Sequence, residues 1–212
     1  PAAGDAGGAL GAALLGAIEA GDPRPAALTH AALGEPISVA EAVALAGHLG
    51  LSAERLAEPA RRVAELLLND GIVGVCSGAF EWGPRALGQR SLLALPARVE
   101  TRERLNRVIK RREPFRPFAP AVLGQRADQY FLDAPSDLTA FMTSVCEVKP
   151  DARASLAAVT HVDGTARVQT LGPGVAPLLS AVLTELERET GVPIALNTSL
   201  NGPGEPIVAH AS

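Results

Sequence analysis

The sequence predicts an α/β fold, a mixed sheet with flanking helices, preceded by a small helical segment. Three observations predict it. Short apolar runs of strand length recur from residue 72 onward, helix-period segments alternate with them, and a small-residue-rich opening reads as helix and linker. At 212 residues the chain has room for one large domain, or for one domain and a helical piece of another.

The opening stretch GDAGGALGAALLGAIEAG reads as a glycine-led turn entering a tightly packed helix that ends at Gly21, before a linker running from Pro23 to Pro25. Residues 38–49 and 53–68 have helical periodicity. Ser38 and Glu41 are spaced as a capping box, Val63, Leu66 and Leu67 recur at helical intervals, and Pro59 is placed to start a new helical segment. The boundary is set near residue 50, with 1–50 as helical tail and linker and 51–212 as the α/β domain. After Asn69-Asp70-Gly71, candidate strands at 72–76, 91–95, 119–123, 142–148, 166–171 and 192–196 alternate with candidate helices at 101–110, 125–131, 151–157 and 175–190. Arg, Pro and Gly crowd the loops between them, where binding groups on a rigid scaffold normally sit.

Hydrophobic residues make up 47% of the chain and aromatics only 3%, so the core is expected to be built from Ala, Leu and Val. A net charge of −4 argues against a general nucleic-acid surface and confines any anion site to a local patch. Seventeen arginines stand against two lysines, which favours bidentate recognition of phosphate, although the same ratio also arises from compositional bias. Cys76 and Cys146, widely separated and without a CxxC pair, are expected as reduced core residues of a cytoplasmic protein. No run approaches the ~18 apolar residues of a membrane span.

Four clusters carry chemistry. In Glu81-Trp82-Gly83-Pro84-Arg85-Ala86-Leu87-Gly88-Gln89-Arg90, two arginines flank a Gly-Pro turn that can present guanidinium and N–H groups to phosphate; stacking on Trp82 or pairing with Glu81 is the structural alternative. In NRVIKRREPFRPFA, Lys110, Arg111, Arg112 and Arg116 gather where a helix runs into a proline-bracketed loop, although basic residues at a helix C-terminus also serve as simple caps. In THVDGTARVQ a turn feeds a strand on which Arg167 and Gln169 share a face; His161 and Asp163 also suit a local hydrogen-bonded pair. In NTSLNGPGEP the amides, hydroxyls and glycines after an apolar strand suit a phosphate nest or an ordinary Asx turn.

From Trp82 onward these words resemble the carbamoyltransferase family that includes the antibiotic O-carbamoyltransferases and the nodulation-factor carbamoyltransferases. WGPRALGQRSLLA, the KxREPFRPFAP pattern and HVDGTARVQ carry the match, and NTSxN is similar to an element of YrdC proteins. The resemblance implies a YrdC-like sheet domain in which Lys110, Arg167 and His161 act catalytically and Arg85, Arg90, Arg116, Asn197, Ser199 and Asn201 bind substrate or nucleotide. Pro203 departs from the basic residue that many relatives carry before GEP.

The resemblance further implies that ATP, with Mg²⁺, and carbamoyl phosphate give carbamoyl adenylate, for transfer to a hydroxyl of a small-molecule acceptor such as an antibiotic or other secondary metabolite. No nucleic acid or membrane partner is implied. Pro1-Ala2-Ala3-Gly4-Asp5-Ala6-Gly7 resembles the end of the N-terminal transferase domain, which is related to the threonylcarbamoyladenosine transferase fold; there an aspartate matching Asp5 is a metal ligand beside a histidine pair. His30, His48, His161 and His210 form no HxxxH, so iron is expected only in a complete enzyme of which this chain is a part. The competing readings are a YrdC-type threonylcarbamoyl-adenylate synthase and a non-catalytic scaffold lobe.

Overall fold

The computed structural model describes residues 2, 4–24 and 26–210, apart from the Asp5 side chain. Nine strands and six α-helices follow one another among them: α1 (Asp5–Glu19), β1 (Ala32–Pro36), α2 (Val39–His48), α3 (Pro59–Leu68), β2 (Val73–Cys76), β3 (Ala79–Glu81), β4 (Arg90–Ala94), α4 (Val99–Arg104), β5 (Ala119–Leu123), α5 (Ala127–Tyr130), β6 (Cys146–Glu147), β7 (Thr165–Ala166), β8 (Gln169–Leu171), α6 (Pro177–Thr190) and β9 (Ile194–Ser199). A mixed five-stranded sheet in the order β2-β4-β9-β5-β8 forms the centre. All its pairings are antiparallel except β5 with β8.

Alternation along the central strands divides the core into two layers. Leu93, Ala121 and Ala195 face α3 and α6, which contribute Val63, Leu67, Leu179, Val182, Leu183 and Leu186. Ala94, Val122, Ile194 and Leu196 face the other way onto Leu105, Phe131, Val148, Leu156 and Val159. On α6 the buried leucines and valine fall three and four residues apart, Pro177 opens the helix, and left-handed Gly191 (φ 76°) closes it on the Glu187 carbonyl. The scarcity of large rings is met as expected by Leu, Val and Ala packing on both faces.

Several elements depart from the sequence expectation. The helix expected from residue 53 starts only at Pro59, whose fixed φ suits the first helical position. The expected strand at 142–148 shrinks to Cys146–Glu147, because Met142 adopts a left-handed φ of 55°. The expected strand at 166–171 splits, since Thr165–Ala166 pairs with β6 whereas Gln169–Leu171 pairs with β5. The segment 151–157 holds only a short 3₁₀ turn at Arg153–Leu156. An unpredicted ribbon joins β1, from before residue 50, to β3, from after it. Its strand β1 contains Gly34 and Pro36, residues that obscure a strand, yet Gly34 is needed because a Cβ there would lie 2.9 Å from the Phe80 Cβ. Cys146 is buried as expected, but Cys76 is exposed.

Candidate anion site

The loop before β4 is organised from beneath by Glu81. Its carboxylate, 2% exposed, accepts hydrogen bonds from the backbone N–H groups of Leu87 (2.6 Å), Gln89 (3.1 Å) and Arg90 (3.1 Å). Burial raises the Glu81 pKa, and these three N–H groups with the nearby Arg90 charge oppose the rise. Gly88 at φ 113° lets the loop pass close to α6, where a Cβ would come within 2.8 Å of Ala176 and Leu179. The outcome for the two arginines is opposite. Arg85 reaches a cavity, whereas Arg90 is fully buried, donates to the carbonyls of Ser77, Gly78 and Gln89, and lies over the Phe80 ring at 5.9 Å. Arg90 is thus committed to holding the β2–β3 turn and is not among the residues lining the cavity.

The second cluster follows α4, which continues as a π-helical stretch, Leu105–Lys110, and ends at left-handed Arg111 (φ 44°). Such wide turns insert a residue into a helix and recur at functional sites. Here the stretch buries Asn106 completely. The Asn106 amide donates to the carbonyls of Pro114 (3.2 Å) and Arg116 (2.9 Å), and its Oδ1 accepts from Arg112 Nε (2.7 Å). One side chain therefore fixes the whole Arg112–Arg116 loop. Arg112 lies over the Phe118 ring at 4.6 Å and faces the cavity with Arg116, although the sequence favoured a capping role for it.

Lys110 lies one layer behind the cavity. Its ammonium sits among Ser199 O (2.5 Å), Ser199 Oγ (3.2 Å), Asn201 O (3.0 Å) and Asn201 Oδ1 (2.7 Å), so it ties the π-helical end to the loop after β9. Burial, and then the charge of Arg112, bring its pKa down to about 8. Asn201 also accepts from Ser199 Oγ at 2.6 Å.

On the third and fourth clusters, Arg167 occupies the break between β7 and β8 and faces the cavity. Its Nε is buried and finds no acceptor among the described residues. Burial first, then Arg85 and Arg112, push its pKa down to about 10. Gln169, fully buried, donates to Leu87 O (2.7 Å) and accepts from Asn197 Nδ2 (2.7 Å), which also donates to Ala86 O (3.1 Å). β8, β9 and the Arg85 loop are thereby pinned together. His161 and Asp163 form a local turn: Asp163 Oδ1 accepts from Thr165 N and Oγ1, and His161 Nδ1 lies 3.0 Å from Thr165 Oγ1. Burial lowers the His161 pKa, Asp163 opposes this, and Arg167 adds to it.

The cavity these loops enclose is about 180 Å³ and is lined by Arg85, Arg112, Arg116, Arg167, Asn197, Thr198, Ser199 and apolar neighbours. It brings together Arg85, Arg116, Arg167, Asn197 and Ser199 of the residues expected from sequence, and adds Arg112. Lys110 and Asn201 support its rim, His161 belongs to the adjoining turn, and Arg90 is buried beneath the loop. No carboxylate is among the described lining residues; Glu113, 3.8 Å from Arg116 and outside that lining, offsets part of the arginines' mutual repulsion, and the remainder is left for an anion to relieve. The backbone organisers Glu81, Asn106 and Gln169 were not singled out from sequence as site residues. Asp5 begins α1, and its side chain lies outside the described residues. Among the described residues no group of three His, Cys, Asp or Glu is placed to hold a metal ion.

Comparison with known proteins places the chain in a family. The family model described as "Carbamoyltransferase C-terminus" matches residues 64–212. Nodulation protein NolNO of Sinorhizobium fredii is 42% identical over 98% of this chain and 31% of its own length, and nodulation protein NolO of Bradyrhizobium diazoefficiens is 40% identical over 100% of this chain and 40% of its own. Full-length HypF in a phosphate- and nucleotide-bound form aligns with 74% of this chain and 19% of its own, at 18% identity and a TM-score of 0.49, too distant to bear on function. The chain spans roughly a third to two fifths of the length of the two nodulation proteins (31% and 40%). With the family model covering about seven tenths of its residues and those two relatives matching it nearly end to end, the chain belongs to the carbamoyltransferase C-terminus family.

Proposed function

We propose that this chain is the carbamoyl-activating part of an ATP-dependent O-carbamoyltransferase. The observation that carries the reading is the convergence of Arg85, Arg112, Arg116 and Arg167 on one small cavity without a carboxylate among its described lining residues. Water hydrolyses carbamoyl phosphate to carbamate and inorganic phosphate. A carbamate oxygen then bonds to the α-phosphorus of ATP, the bond to the β-phosphate oxygen breaks, and pyrophosphate leaves with the electron pair to give carbamoyl adenylate. Such phosphoryl chemistry depends chiefly on positioning and charge neutralisation, both of which fixed guanidinium groups supply.

Within this scheme Arg167 and Arg85 hold phosphate oxygens, Arg112 and Arg116 close the opposite wall, and Asn197 and Ser199 orient the substrate. Lys110 and Asn201 keep the last loop in place, and His161 lies beside Arg167 to steady its strand break. Mg²⁺ would arrive chelated by the triphosphate, because the described lining offers no carboxylate to hold it.

Transfer to a hydroxyl of a small-molecule acceptor is assigned to an N-terminal transferase domain, for which 1–50 is the tail and 51–212 the activating domain. Exposed Leu10, Leu14, Leu15 and Ile18 on α1 support a partner there. The described residues do not fit the iron centre expected of the complete enzyme. The acceptor is a hydroxyl-bearing small molecule, an antibiotic or other secondary metabolite.

Incubating the chain with Mg²⁺, ATP and carbamoyl phosphate tests the division of labour. Calorimetry should show binding of both ligands, and mass spectrometry should detect carbamoyl adenylate but no carbamoylated acceptor. Acceptor transfer by this chain alone would refute the two-part scheme. A folded sample that binds neither ligand would favour a scaffold lobe.

A further inference from the structure

We propose that Phe115 is the stacking platform for the purine base of the nucleotide whose phosphates lie in the arginine cavity. The inference rests on the nucleotide reading above and assigns a residue to the part of the ligand that the arginines do not address.

Phe115 stands in the loop that supplies Arg112, Arg116 and Pro117 to the cavity wall. It is 78% exposed, whereas Phe118, Phe131 and Phe141 are buried in the core and Phe80 is partly covered. A ring turned to water forgoes the burial that stabilises the others. The backbone that carries it is held in place, because the carbonyls of Pro114 and Arg116, on either side of it, both accept from the buried Asn106 amide. Pro114 and Pro117 restrict the same stretch further. The neighbouring ring, Phe118, is already covered by the Arg112 guanidinium, which leaves Phe115 as the loop's available aromatic face.

Size supplies the second argument. A cavity of about 180 Å³ lies below the ~300–1,000 Å³ that encloses a drug-sized organic ligand. Its size suits a phosphate-sized anion better than a whole nucleotide. A nucleotide held there by its phosphates would project its base past the rim, toward a loop that displays an exposed ring on a hydrogen-bonded backbone. Stacking on an aromatic side chain works through the π-face that every base has, so it adds affinity without requiring buried polar partners.

The test is calorimetry of the full chain with ATP and, separately, with inorganic tripolyphosphate, each with Mg²⁺. Wild type should bind ATP more tightly. Phe115→Ala should weaken ATP binding roughly 5- to 150-fold and leave tripolyphosphate binding unchanged. Phe115→Trp should retain ATP affinity, and its added fluorescence should be quenched by ATP. Unchanged ATP affinity in Phe115→Ala, or an equal loss for both ligands, overturns the platform while leaving the anion site standing. So does a variant altered in self-association alone, which would make Phe115 a protein contact. If wild type binds neither ligand, the nucleotide reading itself fails, and the platform with it.

Discussion

Replacing Glu81 should unfold the anion site from below. Its carboxylate is the shared acceptor for Leu87, Gln89 and Arg90 N–H groups, and it is buried near the guanidinium of fully buried Arg90. Glu81→Ala leaves three N–H groups without that acceptor and removes a compensating charge from Arg90. Breaking a buried charge pairing of this kind costs about 3–5 kcal/mol, which for a chain of this size corresponds to a loss of roughly 6–20 °C in melting temperature. Glu81→Gln keeps one oxygen but turns an NH₂ donor toward an N–H group, so one charge-assisted bond is lost and about 1.5–3 kcal/mol goes with it. Thermal unfolding followed by circular dichroism, with phosphate affinity measured well below each transition, reads both effects. The order should be wild type, Glu81→Gln, Glu81→Ala, in stability and in affinity alike. A Glu81→Ala protein melting within about 2 °C of wild type would refute the role assigned to the carboxylate, since the smallest loss worked out above is larger.

Three further outcomes are expected. Arg167→Ala should lose roughly 10- to 150-fold in phosphate or carbamoyl phosphate affinity, the worth of a charge-assisted contact, without losing stability, because Arg85 and Arg112 are relieved of a like charge; calorimetry paired with a melting curve checks both halves. Anion affinity should fall as pH rises through about 8, where Lys110 loses the proton that ties it to Ser199 and Asn201, and Lys110→Met should flatten that profile. Stability responds in the opposite sense: the unfolded chain binds more protons between the folded value of about 8 and the ordinary 10.5, so Lys110's contribution grows as pH rises through that window and is lost as pH falls through it. Gly88→Ala should lower the melting temperature measurably, since it places a Cβ 2.8 Å from Ala176 and Leu179 at a φ of 113°.

The central sheet was legible because β2, β5 and the inner parts of β4 and β9 are apolar runs between turn residues, and most of its expected strands lie within a residue or two of those observed. The ribbon was not, since Gly34 and Pro36 disguise β1 and only its approach to Phe80 reveals why they are there. Arg85, Arg116 and Arg167 were readable as anion ligands from residue type and loop context, and all three line one cavity. Arg90 lies five residues beyond Arg85 in the same words, yet its side chain is swallowed by the β2–β3 turn. Spacing along a chain does not encode which of two arginines points outward. Arg112 looked like a helix cap because a π-helical stretch, which redirects the chain at Arg111, leaves little trace in composition. The organising role of Gln169 depends on Leu87, 82 residues away, which no local pattern registers, and that of Asn106 depends on the chain reversal after the π-helical stretch.

β9 is last among the described strands in chain order but occupies the middle of the sheet, between β4 and β5. Until it inserts, β2–β4 and β5–β8 are two separate ribbons whose apolar inner edges face each other with unsatisfied N–H and C=O groups. Long-range strand insertion of this kind is slow, and the waiting edges are open to pairing with other chains. This strand order therefore predicts low solubility while the chain folds, and better recovery of folded protein at low temperature or with chaperone assistance, which a refolding-yield measurement checks. The same arrangement makes the site all-or-none. Asn197 and Ser199 belong to that inserting strand, and Lys110 has nothing to grasp before it arrives, so a partly folded chain holds no half-built cavity with which to sequester phosphate.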